Sequence, residues 1–200
     1  MIDTLEAENL WSHIEYRTFK SGELIDLETE FYWLIQRGMV KCNTWTEAGN
    51  PITLGYWGFN DLVGKPLSFV HPYHVQCLTN VKAGRIHLEQ TGKITCLIQR
   101  QVQQTEEILY ILRLEKTYSR LRQILLWLSQ KFGREVAVGK SIDLRLTHQD
   151  LGELVGATRV TITKFINQLE REGFLSRPRR NSFVILKADS SNYLPPSVSD

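Results

Sequence analysis

The chain is expected to fold as an α+β protein in three successive parts, and three observations predict it. Short aromatic and aliphatic segments between regularly spaced glycines run from Phe19 to Leu88 and read as an antiparallel sandwich, barrel or roll. The stretch from Lys93 to Phe132 holds neither glycine nor proline and reads as one long helix. From Leu146 onward, two amphipathic segments around Gly156 precede two short strands around a basic turn, the pattern of a winged helix-turn-helix. The expected parts are residues 1–92, 93–132 and 133–187, with 188–200 as a flexible tail.

In the first part the punctuation is Gly22, Gly38, Gly49, Gly55, Gly58, Gly64 and Gly84, and Ala48-Gly-Asn-Pro51 is a good tight turn. In the second, Ile98, Val102, Thr105, Leu109 and Leu112 step by four and three, the spacing of a coiled-coil seam. Leu121, Ile124, Leu125 and Leu128 continue as an apolar stripe. A helix of that length is too long to pack only on a small roll, so it is expected to pair with a second copy. Residues 133–142 read as a connection.

The third part has the most specific chemistry. Thr147 can cap a first helix, and Leu151, Leu154 and Val155 fall on one face of it. Gly156 suits the left-handed position after that helix, and Thr158 can cap a second. Ile162, Phe165, Ile166 and Leu169 then form a buried stripe, and Gly173 marks the stop. The opposite face shows Arg159, Val160, Thr163, Lys164 and Asn167, a set suited to the DNA major groove. Arg159 can give two hydrogen bonds to guanine O6 and N7, and Val160 can only touch a thymine methyl or exclude water. Thr158, Thr161, Thr163 and Lys164 can reach phosphates or base edges, as can Thr147, His148 and Gln149 from the first helix. Arg177, Arg179 and Arg180 in the basic turn add phosphate contacts. A solvated helical hairpin would share the apolar pattern. The runner-up function is a winged helix that binds a protein partner, or an effector-free co-regulator that does not read DNA itself; the basic turn weighs against it.

The 200 residues carry a net charge of +2, so bulk composition does not ask for nucleic acid. The distribution does: residues 1–60 hold nine acidic and four basic groups, and residues 144–187 hold four acidic and eight basic. No apolar run approaches the roughly 20 residues of a membrane span, and Asp3, Glu6 and Glu8 occupy the place of a signal peptide. Cys42, Cys77 and Cys96, odd in number and without a CxxC pair, fit buried thiols in a reducing cytoplasm. No metal site is expected. The histidines His71, His74 and His87 lack ligand spacing. Gly58-Phe-Asn-Asp-Leu-Val-Gly-Lys-Pro66 is one residue too long for a phosphate-binding loop, and Pro66 removes the required hydroxyl. No catalytic motif stands out, so an enzyme is not expected.

Roll, long helix and winged helix in this order resemble the Crp/Fnr family of bacterial transcription regulators over nearly the whole chain. Phe31-Tyr-Trp-Leu-Ile-Gln-Arg-Gly38 and Glu47-Ala-Gly49 are similar to its strand–glycine–strand signature, and Ala157-Thr-Arg-Val-Thr-Ile-Thr-Lys-Phe165 to its recognition helix. The Thr-Arg-Val-Thr run and Tyr73-His74 are most similar to the cyanobacterial global nitrogen-control regulators. The resemblance implies a jelly roll of the cyclic-nucleotide-binding type and a homodimer on a palindromic site of double-stranded DNA. It also implies Arg159 as the guanine reader, a GTA-type half-site, and RNA polymerase as a further partner. At the roll turn Leu62-Val-Gly-Lys-Pro-Leu-Ser68 the sequence departs from cyclic-AMP binders. Lys65-Pro66 stands where a glutamate is needed, and Tyr73-His74 where an Arg-Ser pair is needed, so cyclic AMP is not the expected effector. For 2-oxoglutarate, the corresponding neighbourhoods hold Val63, Gly64, Lys65, Arg100 and Glu107, with Gln101 where the family has an arginine. A 2-oxoglutarate response and a regulator without an effector both stay open.

Overall fold

The computed structural model describes residues 14–179 and 181–187. The expected tail at 188–200 and Arg180 of the basic turn lie outside the described residues. The chain divides into two compact units, the first ending at Gln104 and the second beginning at Thr105.

The first unit is built from antiparallel strands β1 (Glu15–Phe19), β2 (Phe31–Arg37), β3 (Val40–Trp45), β4 (Pro51–Trp57), β5 (Leu62–Val63), β6 (His74–Cys77) and β7 (Val81–His87). They form one sheet in the order β1-β7-β2-β5 and another in the order β4-β3-β6. β6 alternates between half-buried and buried residues, as a strand with one covered face should. β2 has consecutive buried residues Tyr32, Trp33, Leu34 and Ile35 because both of its faces are covered, which is why its sequence is a continuous apolar run. Tyr32 and Leu34 pack with Leu62, Ile86, Ile94 and Leu97. The expected turn forms between β3 and β4, with the Gly49 N–H donating to the Thr46 carbonyl at 2.9 Å.

A 3-10 segment, Leu88–Ile94, leads into helix α1 (Thr95–Arg113), and α2 (Thr117–Phe132) follows. The single helix expected over 93–132 is therefore two. Lys116, just before α2, is extended at φ −90° and ψ 125°, and the Arg120 Nη2 donates to the Glu115 carbonyl at 3.4 Å. The break follows from a change of phase. At 3.6 residues per turn the stripe Leu121–Leu128 is rotated by roughly 130° from the seam Ile98–Leu109, so one straight helix cannot bury both stripes on one face. Leu121, Ile124, Leu125 and Leu128 of α2 are fully buried, and α2 packs on the helices that follow it.

The second unit continues with β8 (Gly133–Val136), β9 (Gly139–Ile142), α3 (His148–Val155), α4 (Arg159–Arg171), β10 (Leu175–Ser176) and β11 (Val184–Leu186). The segment 133–142, expected as a connection, is a β-hairpin and supplies half of the sheet β10-β11-β9-β8. The three helices close over a core of Leu121, Leu125, Leu151, Leu154, Ile162, Ile166, Leu169, Phe174 and Ile185. Phe165, expected in the buried stripe, is only half-buried and meets Tyr118 edge-on at 5.4 Å between ring centroids. Among the described residues no helix is long and apolar enough to cross a membrane.

Candidate nucleic-acid interface

Helix α3 begins at a capping box. The Asp150 N–H donates to the Thr147 hydroxyl at 3.0 Å, and the Thr147 N–H donates to the Asp150 carboxylate at 2.9 Å. The Thr147 hydroxyl also donates to that carboxylate at 2.6 Å, so its single proton is spent on the cap. The helix ends at Gly156, whose φ of 71° and ψ of 46° lie in the left-handed region that glycine adopts without strain. Thr158 then caps α4, accepting from the Thr161 N–H at 3.2 Å, while the two threonine hydroxyls meet at 2.9 Å.

The buried Ile162, Ile166 and Leu169 fix the rotation of α4 about its axis. Its first turn therefore presents Arg159 and Val160 outward, Val160 being 78% exposed, with Lys164 exposed one turn on. Thr163 is different. Its hydroxyl donates to the Arg159 carbonyl at 2.9 Å and lies 2.8 Å from His148 Nδ1. A hydroxyl has one proton, so His148 must donate to it from Nδ1, and Nε2 is the nitrogen left to meet a ligand. The His148 ring lies near-parallel to Phe183, with centroids 6.4 Å apart. Burial, and then the positive charges of Arg177 and Arg159, pull the imidazole below its ordinary titration range. Gln149 is exposed, and its amide donates to Glu153 at 3.2 Å.

A cleft of about 690 Å³ is lined by Thr147, His148, Gln149, Arg159, Glu170, Arg177, Arg179, Asn181 and Phe183. Arg179 is exposed. Arg177 is not free in the same way, since its Nε donates to Glu170 at 3.0 Å and its Nη2 to the Asn167 side-chain oxygen at 2.9 Å. Glu170 is the residue here that the sequence reading missed. It sits one turn beyond Asn167, and its partner comes from the far side of a turn, so no local spacing announces it.

The second candidate group is divided between the two units. Val63 is buried, Gly64 precedes the 3-10 turn Lys65–Leu67, and Lys65 is half-buried. The Arg100 guanidinium donates to the Asn60 carbonyl, and Gln101 is half-buried on the same helix. Glu107 belongs to the second unit, where it accepts the Trp127 indole N–H at 2.9 Å and where burial raises its carboxyl pKa. The positions that would face a cyclic phosphate are engaged within the roll. The Tyr73 hydroxyl and the Cys42 thiol are 3.1 Å apart, and His74 meets Trp45 edge-on at 4.8 Å between ring centroids.

Residues 119–190 match the family model of the Crp-like helix-turn-helix domain. The chain is 38% identical over 170 residues to the regulatory protein CysR of Synechococcus elongatus, covering 84% of this chain and 81% of that protein. It is 31% identical over 180 residues to the global nitrogen regulator of a Nostoc species, with 80% of each covered. Among solved structures, a CRP-family transcriptional regulator of Thermus thermophilus superposes with a TM-score of 0.75 at 17% identity, over 92% of this chain and 98% of that one. The fold, the paired helices and these relatives agree: the chain belongs to the Crp/Fnr family of transcription regulators and carries its helix-turn-helix DNA-binding domain.

Proposed function

We propose that the protein works as a homodimer that reads a palindromic DNA site, placing one α4 helix in each of two successive major grooves. The single observation that carries this reading is the side-by-side exposure of Arg159 and Val160 on the first turn of α4, its rotation fixed by the buried stripe. Arg159 has the donor fork for guanine O6 and N7, and Val160 has no polar atom for a cytosine or adenine edge. A GTA-type half-site satisfies both. Lys164, Gln149 and Arg179 are the phosphate-binding cations and donors of this reading, together with Thr161; Arg180, outside the described residues, is assigned the same role from the sequence alone. Thr147 and Thr158 serve as helix caps. The second copy is supported by the outer face of α1, where Val102 and Leu109 are 60% and 59% exposed and Thr105 lies between them. Ile98 packs partly on the roll core, and Leu112 is half-buried.

Fluorescence anisotropy with labelled duplexes that differ only in GTA or GTGA half-sites tests the reading. Tighter binding to GTA supports it, and replacing Arg159 with alanine is expected to cost about 1–3 kcal/mol of discrimination. Equal affinity for both duplexes would overturn the half-site, and no saturable complex with either would overturn DNA reading itself. For the roll, the engaged Tyr73 and His74 weigh against cyclic AMP as an effector. Calorimetric titration is expected to give no heat with cyclic AMP, and the same titration with 2-oxoglutarate separates an effector-responsive roll from a silent one.

A further inference from the structure

Arg177 lies in the basic turn beside the recognition helix, where composition alone makes it a phosphate ligand. Its geometry spends it on the protein. Nε donates to Glu170 Oε2 at 3.0 Å, Nη2 donates to Asn167 Oδ1 at 2.9 Å, and Nη2 also contacts Glu170 Oε2. Asn167 and Glu170 are three residues apart on α4, so their side chains share one strip of the helix surface. The planar guanidinium reaches both acceptors at once, which a lysine ammonium on its flexible stem does not reproduce. The Arg177 side chain is 30% exposed, and its hydrogen bond, helped by its positive charge, holds the Glu170 carboxyl below its ordinary range.

A phosphate approaching Arg177 would meet the Glu170 carboxylate at the same place, so repulsion from one offsets attraction to the other. Resting on the DNA-reading function above, we propose that Arg177 is a positioning residue. It clamps the wing to the recognition helix through Glu170 and Asn167, and it is not a phosphate ligand. The clamp also sets what Asn167 can read. Arg177 has only donors, so the atom facing it is the amide oxygen, which leaves Asn167 its N–H groups for DNA. Bidentate reading of adenine needs both the oxygen and the nitrogen of an asparagine. Arg177 takes one of the two lone pairs of the Asn167 oxygen and fixes which way the amide is turned, so the N–H groups are the atoms it leaves for an acceptor: a phosphate oxygen, guanine O6 or N7, or thymine O4.

The test is a salt titration of binding to the cognate duplex, from about 50 to about 200 mM, for the full chain and the variants R177A, R177K, E170Q and R179A. A phosphate ligand contributes roughly one unit to the slope of log affinity against log salt, and R179A is the reference for that loss. R177A is expected to bind about tenfold more weakly, the scale of one lost charged hydrogen bond, with the wild-type slope. R177K is expected to behave as R177A does, and E170Q to weaken binding as well. A slope loss in R177A equal to that of R179A, full activity in R177K, or tighter and steeper binding in E170Q would each overturn the proposal. Hydrogen exchange of the amides from Phe174 to Leu186 needs no DNA and keeps the test independent of the DNA reading. The clamp predicts faster wing exchange in R177K and E170Q than in wild type, and unchanged exchange sinks it. If the wild type forms no saturable DNA complex, the function fails while the exchange data still decide the clamp.

Discussion

His148 at the start of α3 and Thr163 in α4 are joined side chain to side chain across 2.8 Å, and that contact decides which imidazole nitrogen is left for the cleft beside α4. Because the Thr163 proton goes to the Arg159 carbonyl, neutral His148 presents Nε2 as an acceptor, which repels a phosphate oxygen. Protonation puts a donor there and leaves the Thr163 contact intact. A phosphate beside the ring favours the charged form, so the His148 pKa is higher in the complex than in the free protein. Affinity for DNA is therefore expected to rise as pH falls through the value in the complex, and to level off once the free protein is also protonated. Anisotropy titrations at constant salt check this, with H148Q as the comparison. Identical pH profiles for the two proteins would exclude His148 as the linked group.

In the free protein the same residue acts in the opposite direction. Its folded pKa is lowered from the ordinary 6.5 by burial first and by Arg177 and Arg159 after it. Between the two values the unfolded chain binds the proton and the folded one does not, so stability present above 6.5 is lost as pH falls through the lowered value. The melting temperature of the wild type is expected to drop more than that of H148Q across this window. A steeper drop in H148Q would reverse the assigned sign.

Three cysteines in the chain are expected to give one reactive thiol. Burial pushes the Cys42 thiol up to about 12 and the Cys77 thiol up to about 11, and both side chains are enclosed in the roll. Cys96, expected with the others as a buried thiol, is instead exposed near the start of α1. The thiolate is the reactive form, so a thiol reagent should label Cys96 rapidly in the native protein and all three after denaturation. Replacing Cys96 with serine should abolish the rapid phase; a rapid phase that survives would mean that the roll opens.

What could be read from the sequence was local. The Thr147 and Thr158 caps and Gly156 each act over one to four residues, so spacing alone placed them, and the buried stripe of α4 then turned Arg159 and Val160 outward. What was missed depends on partners far away in the chain. No glycine or proline marks the break between Arg113 and Thr117, although the phase shift between the two apolar stripes was there to be measured. Thr163 and Arg177 have the chemistry of DNA ligands. It takes the folded approach of His148, Glu170 and Asn167 to show that their hydrogen bonds go to the protein. Glu107 lies near the expected effector residues in sequence, yet packing gives it the Trp127 indole.

The outer face of α1 predicts the assembly state. Leu109 lies seven residues after Val102, two helical turns along the same strip, and each is more than half exposed, at 59% and 60%. Two apolar side chains on one strip, left in water, are stabilised by covering them with the same strip of a second copy. V102E and L109E are therefore expected to shift the protein from dimer to monomer in sedimentation velocity. Both should keep the wild-type circular dichroism spectrum, since neither side chain belongs to the core of a single copy. A wild-type protein that sediments as a monomer at micromolar concentration would end the dimer reading, and dimers that survive both substitutions would move the interface elsewhere.

Gly152 makes two rules compete inside α3. On helix propensity alone, alanine at an interior helical glycine stabilises by about 1 kcal/mol. Yet a Cβ at this position would stand 2.5 Å from the Ala157 carbonyl oxygen, and 3.6 Å from Ile162 Cγ1. That carbonyl cannot swing away cheaply, because the Ala157 N–H is itself held by the Gly152 carbonyl at 2.9 Å. The glycine lets the turn between α3 and α4 fold back onto the first helix. Forcing a methyl group into packed space costs about 1–3 kcal/mol, which outweighs the propensity gain. G152A is therefore expected to lower the urea midpoint and, by pushing the start of α4 outward, to weaken DNA binding more than the stability loss alone would. Gly92 meets nothing within 4 Å of its Cβ position, so G92A should do neither. If G152A raises the midpoint instead, helix propensity prevails and the close approach at Ala157 does not constrain the turn.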